Sequence, residues 1–275
     1  MAITNRDQLL NALGNTAQTF TINKASIANA TAGLPMSLWR ATGTPGQGAI
    51  PGAAALCTKA LTGAFAFNNP SSGNSYLARM ALMAAVTGAE FQIHDRLAHR
   101  DGRDGTLTTS QTVNVDVPGS GSNMANRRGA SNYSEVQWWL EIYTDVGTTA
   151  RTATITYTNA AGTSGRTTTV AIGSTTNSQN RAGRLLPIIG SGGAFIQSVQ
   201  SVQRDLSTGA AGSFGVTATR MLTGSAIGLA NVAVSSDWQA LGFPRVHDDA
   251  CLQFVCFPGS TTTGALYGTA KLAQG

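Results

Sequence analysis

The chain has 275 residues, enough to bury a substantial core as one large β domain or two small ones. Only 11% of its residues are charged, against roughly a quarter in ordinary soluble domains, and the net charge of +5 is dispersed, the longest basic run being Arg127-Arg128. That dispersal argues against a phosphate-neutralising stripe, and no apolar run nears the ~20 residues that span a bilayer, so neither a specific nucleic acid nor a membrane is expected as partner.

Thr4-Asn-Arg-Asp7 has the form of a capping box with Asp in place of the usual Glu. Leu9, Leu10 and Leu13 follow at helical spacing, with Gly14 as a stop. A short amphipathic helix is predicted, too brief to stand alone, whose leucines pack on the body or on another subunit. No basic and apolar leader precedes it, so no signal peptide is expected. From Thr31 to Ser75, Pro35, Pro45, Pro51 and Pro70 break a stretch rich in Ala, Gly and Thr. It reads as an extended arm or large loop anchored by Leu38, Trp39, Phe65 and Phe67. Residues 76–98 read as two strands, the second carrying the alternation Glu90-Phe-Gln-Ile-His94. Val113, Val115 and Val117 alternate with polar residues and end at Pro118-Gly119.

The clearest pattern lies in residues 135–146. Val136, Trp138, Leu140, Ile142 and Val146 share one parity, while Glu135, Gln137, Trp139, Glu141, Tyr143 and Asp145 share the other. A period of two predicts a strand with one dry and one wet face. Residues 152–158 and 167–172 flank a Gly/Asn/Ser turn and read as a hairpin of β-branched residues. Further strands are predicted near 194–205, 213–222, 250–257 and 264–273.

Ten or so short strands with little helix predict an all-β antiparallel sandwich, jelly-roll-like, over residues 76–275, with residues 1–75 forming the N-terminal helix and arm. Val136, Trp138, Leu140, Ile142, Ile155 and Tyr157 are its predicted core. Fifteen Arg stand against three Lys, and ten Asp against three Glu. Interfaces avoid Lys and Glu and favour Arg, so this bias predicts a surface partly covered by neighbours; solubility through Ser, Thr, Asn and Gln is the alternative.

The densest polar cluster is His94-Asp-Arg-Leu-Ala-His99-Arg-Asp101-Gly-Arg-Asp104. His94, His99, Asp101 and Asp104 are the only metal candidates, and they lack both the closing Glu of a calcium loop and the short ligand spacings of a zinc site. Neither a metal nor a cofactor is expected. Cys57, Cys251 and Cys256 are odd in number and scattered, which predicts free thiols. His247 beside Cys251 and Cys256 raises a Cys–His nucleophile. Alternation opposes it: Cys251 shares a face with Gln253 and Val255, and Cys256 shares the other with Leu252 and Phe254, so those two thiols point apart. Nucleophile-elbow, P-loop and dinucleotide signatures are missing, and no enzymatic activity is expected. Trp139 and Tyr143 among Glu135 and Glu141 could form a sugar-binding platform, or lie under a loop or a neighbouring subunit.

The opening Ile3-Thr-Asn-Arg-Asp-Gln-Leu-Leu10, Ser37-Leu-Trp-Arg40 and His94-Asp-Arg-Leu-Ala-His99 carry a resemblance, together with Trp138-Trp139, Thr156-Tyr-Thr-Asn159, His247-Asp-Asp-Ala-Cys251 and Lys271-Leu-Ala-Gln-Gly275. Over nearly its whole length the chain resembles virion structural proteins of tailed bacteriophages, in the group of head decoration and accessory components. The resemblance implies a non-enzymatic protein made in the host cytoplasm and placed on the capsid surface, where it binds and stabilises the head. Its implied partners are the major capsid protein or other virion proteins, and its own copies, preferably as a trimer. Leu9, Leu10, Leu13, Trp39, Arg40, Trp139 and Tyr143 are the interface candidates. A neck, tail or fibre-base protein is the structural alternative, and a carbohydrate-binding sandwich is the alternative of another class.

Overall fold

The computed structural model describes residues 3–120 and 123–275, with only the backbone of Asp101. Helix α1 spans Arg6–Asn15. Its cap is Asn5, whose side chain accepts from the Gln8 amide, while Gln8 Oε1 accepts from the Thr4 amide, so the reciprocal cap sits one residue later than the Thr4–Asp7 pattern implies. The strands follow as β1 (Gln18–Lys24), β2 (Met36–Ser37), β3 (Gly43–Thr44), β4 (Ala55–Leu56), β5 (Ser75–Ala84), β6 (Ala89–Arg103) and β7 (Gln111–Asp116). After a short helix α2 (Met124–Arg127) come β8 (Gln137–Thr144), β9 (Arg151–Asn159), β10 (Arg166–Ile172), β11 (Leu185–Ile188), β12 (Ile196–Arg204) and β13 (Ser213–Ile227). The chain ends with β14 (Val234–Asp237), β15 (Arg245–Val246), β16 (Leu252–Phe257) and β17 (Leu266–Gln274).

These strands build three sheets whose ladders are antiparallel. The first has the order β14-β5-β17-β1-β3, with β15 also on β5; the second is β10-β9-β12-β7; the third is β11-β8-β13-β6-β16-β2, with β4 also on β6. The third sheet is central. Trp138, Leu140 and Ile142 of β8 pack with Ile155 and Tyr157 of the second sheet, in one large core. Phe91 and Ile93 of β6 and Phe254 of β16 pack with Phe20, Leu82 and Leu272 of the first sheet, in another. The antiparallel all-β sandwich with a short N-terminal helix is therefore present, built as two face-to-face packings that share the central sheet. All six predicted core residues are buried.

The central sheet also closes on itself. Ser37 donates its amide to the Gly183 carbonyl at 2.6 Å, Leu185 donates to Pro35 at 3.1 Å, and Met36 bridges Arg184. β2 therefore joins β16 on one side and the start of β11 on the other, making a six-stranded barrel. Closure explains the chief departure from the sequence reading. Glu141, Tyr143 and Trp139, expected on a wet face, point into the barrel and are buried, so β8 has two dry faces.

The N-terminal segment is not an appendage to a body that begins at residue 76. β1 lies between β17 and β3, and β2 supplies the closing barrel strand. The rest of the arm lies across one end of the barrel, where Trp39, Cys57 and Ala64 pack with Tyr143 and Cys251. The approach is close: a Cβ at Gly48 would fall 2.1 Å from the Trp39 indole, so only glycine fits there. Among the described residues, no helix is long and apolar enough to cross a membrane.

Candidate functional site

The barrel interior gathers most of the chemistry-bearing side chains. Arg96, on β6, is its hub. Its Nη2 donates to Glu141 Oε2 at 2.7 Å, to Thr217 Oγ1 at 3.1 Å and to the Tyr143 hydroxyl. Nη1 donates to Gln253 Oε1 at 3.1 Å and Nε to His99 Nδ1 at 2.9 Å, while the Trp39 ring lies 4.6 Å from the guanidinium carbon. Burial works against the Arg96 charge, and the Glu141 carboxylate with the Tyr143 hydroxyl outweighs it, raising its pKa. Burial likewise opposes ionisation of Glu141, but the Arg96 charge and the hydrogen bonds from Arg96 and Thr217 bring its carboxyl below the usual range. The pair is ionised inside the barrel.

A second polar chain occupies the other end. His94 lies between Thr219 Oγ1 at 3.1 Å and Gln92 Oε1 at 2.8 Å, and the Trp139 indole donates to the same Thr219 hydroxyl at 2.8 Å. Burial pushes the His94 pKa down to about 3, so the ring is neutral. Outside the barrel, Arg127 grips Asp95 with two bonds of 2.6 and 2.9 Å, and also donates to the carbonyls of Cys57 and Arg96. Asp95 in turn accepts from the Cys251 amide at 2.8 Å. The short helix α2 is thereby clamped to β6 and to the arm.

All three thiols are free, as predicted, and all three are buried. Cys256 faces the core against the first sheet, and Cys251 turns the other way, as the alternation requires. The partner that the sequence could not supply is Cys57, 194 positions away, which shares the buried cluster with Cys251. Burial opposes ionisation of Cys57, but the neighbouring Cys251 and His99 side chains and the Arg96 charge lower its pKa, while burial and Cys57 raise that of Cys251. The imidazole at these thiols is His99, not His247.

The four metal candidates do not converge. His94 is inside the barrel, and His99 is at the end covered by the arm, against Trp39. Asp104 caps a surface turn through the Thr106 amide and hydroxyl, both at 2.6 Å, and those bonds hold its carboxyl below the usual range. The Asp101 side chain lies outside the described residues. Among the described residues, no group of three or more His, Cys, Asp or Glu is placed to hold a metal ion.

The interface candidates divide. Trp39, Trp139, Tyr143 and Leu9 are buried within the chain's own fold, the first three in or against the barrel and Leu9 against Ala78 and Ala273. These four are corrected from interface to core: closure and the folded-back arm cover the aromatics, and the first sheet covers the leucine. Leu13 is half-buried in the same cluster, and Arg40 is half-buried, donating to the Gly48 carbonyl. Leu10 alone stands out, 57% exposed. With Trp139 and Tyr143 inside, the sugar-binding platform read on that face does not exist. Lys24, which the sequence did not single out, is buried with its ammonium on the Ala41 and Pro45 carbonyls at 2.6 and 3.0 Å.

Two cavities flank the arm. One of about 470 Å³ lies between Trp39, His99, Leu61 and the 49–55 segment, and one of about 500 Å³ is lined by Phe20, Phe65 and Lys59. A third, of about 300 Å³, is an apolar groove beside β11, with Ile189 and Phe195 exposed at its rim.

No protein-family model matches the chain, and no curated protein is similar to it. Among solved structures, 93% of the chain aligns with 79% of a chain in the infectious bursal disease virus VP2 subviral particle, at 12% identity and a TM-score of 0.20. For the infectious bursal disease virus Gx strain, coverage is 94% and 80%, identity 11% and TM-score 0.21; for the Gt strain, 93% and 79%, 10% and 0.18.

Proposed function

We propose that the chain is a non-enzymatic structural protein of a virus particle, and more finely a decoration or accessory protein that binds and stabilises an assembled phage head. The observation that carries this reading is the allocation of charge and apolar surface. A chain with few charges to begin with buries Arg96, Glu141, Asp95, Arg127, Arg184 and Lys24. It leaves Ile189 and Leu229 about two-thirds exposed, with Phe195 and Val232 about half exposed. A freely soluble monomer has the opposite economy, since isolated apolar groups are tolerated but scarce charge leaves little to keep copies apart. The polar interior supports the same reading, because its hydrogen bonds and ion pair are made among barrel strands and hold them together. The resemblance of the sequence to tailed-phage virion proteins supplies the particle, and a capsid-surface site with threefold self-association follows from it.

Mass spectrometry of purified particles tests this. A copy number comparable to the coat protein supports decoration, a handful of copies places the chain in neck, tail or fibre base, and absence from particles refutes both. Sedimentation at micromolar concentration tests the trimer, against which a clean dimer or monomer counts.

A further inference from the structure

Cys57 and Cys251 are brought side by side by one strand. The Cys57 amide donates to the Leu97 carbonyl, and the Cys251 carbonyl accepts from the Arg96 amide. β4 and β16 run in the same direction along the same edge of β6: Leu56 pairs with Ala98 and Leu252 with Asp95. The end of one therefore abuts the start of the other, with the two cysteines opposite adjacent residues of β6. Both side chains enter the same buried cluster, with Tyr143 and Trp39. Cys256 is excluded from it, because it packs on the opposite face with Phe91 and Phe254.

We propose that Cys57 and Cys251 are a latent disulfide, formed within one chain on exposure to hydrogen peroxide, which staples the arm to the barrel. Cys57 is the attacking sulfur. His99 Nδ1 accepts from Arg96 Nε, which leaves Nε2 as the ring nitrogen free to face the neighbouring Cys57 thiol. The Arg96 guanidinium adds positive charge beside it. The Cys57 thiolate attacks one peroxide oxygen, the O–O bond breaks, and sulfenic acid and hydroxide form. The Cys251 sulfur then attacks the Cys57 sulfur, its proton leaves with the departing hydroxyl as water, and the S–S bond closes. The two thiols are oxidised by two electrons, and the peroxide is reduced to water. The approach is the cavity between Trp39 and His99, which reaches the imidazole that contacts Cys57.

The folded full-length chain is treated with hydrogen peroxide, quenched, denatured in an alkylating reagent and mapped by peptide mass spectrometry. The expected product has lost two of its three thiols and two hydrogen atoms, with the Cys57 peptide joined to the Cys251 peptide and Cys256 alkylated. Closing so long a loop should raise the melting temperature by roughly 5 °C or more, reversed by a reductant. Cys57→Ala and Cys251→Ala should each abolish the cross-link, while Cys256→Ala should leave it intact. Where a variant does not fold, the map of the unsubstituted chain decides alone. A cross-link between chains, Cys57 driven to sulfinic acid with Cys251 still free, or three alkylated thiols would overturn the proposal.

Discussion

Arg96 and Glu141 carry opposite charges in a space that holds no room for an unpaired one. Removing one partner of a buried ion pair leaves the other charge stranded and typically costs about 3–5 kcal/mol, whereas replacing both with apolar groups of similar volume is far milder. We therefore expect Glu141→Gln to lose roughly 3 kcal/mol in urea unfolding, and Arg96→Met combined with Glu141→Leu to lose less than the sum of the single changes; strict additivity would show that the two do not act as a pair. His94 makes a prediction in pH. Its folded pKa, about 3, lies below the ordinary 6.5, so above pH 6.5 both states are neutral and it has no effect. As pH falls from 6.5 toward 3, the unfolded chain takes up a proton that the folded barrel refuses, and stability is lost. His94→Gln should flatten the fall in stability between pH 7 and 4, and an unchanged slope would show that His94 does not titrate this way.

Helix α1 and strand β1 are neighbours in sequence but contribute differently to the first sheet. The helix rests on it through Leu9 and Ala12 against Ala78 and Ala273, a small cluster, so Leu9→Ala should cost about 2–3 kcal/mol and leave the barrel intact. β1 pairs with β17 over seven positions and sends Phe20 and Ile22 into the core. Removing residues 1–16 should therefore leave a folded chain, whereas removing residues 1–30 should open the first sheet; a native circular dichroism spectrum and unchanged protease resistance in the longer truncation would contradict this. The contrast shows what the sequence made legible. Strands with sustained alternation, such as Val113-Val115-Val117 or the 152–172 hairpin, are readable because their pattern is local. β2 is two residues long and carries no readable period, while the Phe20-Ile22 alternation of β1 is local but its place in the first sheet is set by β17, more than 240 positions away. The polar parity of β8 is legible in the sequence, but whether it faces solvent or a closed interior is not, because a closed barrel and an open sheet give the same alternation. Only the hydrogen bonds between residues 35–37 and 183–185 distinguish them. The Cys57–Cys251 contact is hidden for the same reason, since it is produced by register along β6.

At the scale of the whole molecule, the two cores are not independent units. β6 and β13 are each 15 residues long and pair along nearly their full length. One end of this ribbon contributes Leu97, Ala98, Val216 and Ala218 to the core against the second sheet, and the other contributes Ala89, Phe91, Ile93 and Ile227 to the core against the first. Between them lies the Arg96 network, whose donors and acceptors come from β6, β8, β13 and β16 together. Neither packing can be lost without exposing part of the ribbon and opening the barrel, which would leave a buried ion pair in a broken site. Chains of this size commonly unfold in more than one step, domain by domain. Here the shared ribbon predicts one cooperative transition, with calorimetric and van't Hoff enthalpies that agree. A cavity made on one side should then weaken the other equally: Ile155→Ala, in the core against the second sheet, should cost about 2–5 kcal/mol. It should lower hydrogen-exchange protection in β17, which packs in the opposite core, by the same free energy. Two resolved transitions, or β17 protection untouched by Ile155→Ala, would show that the barrel joins the two halves without coupling them.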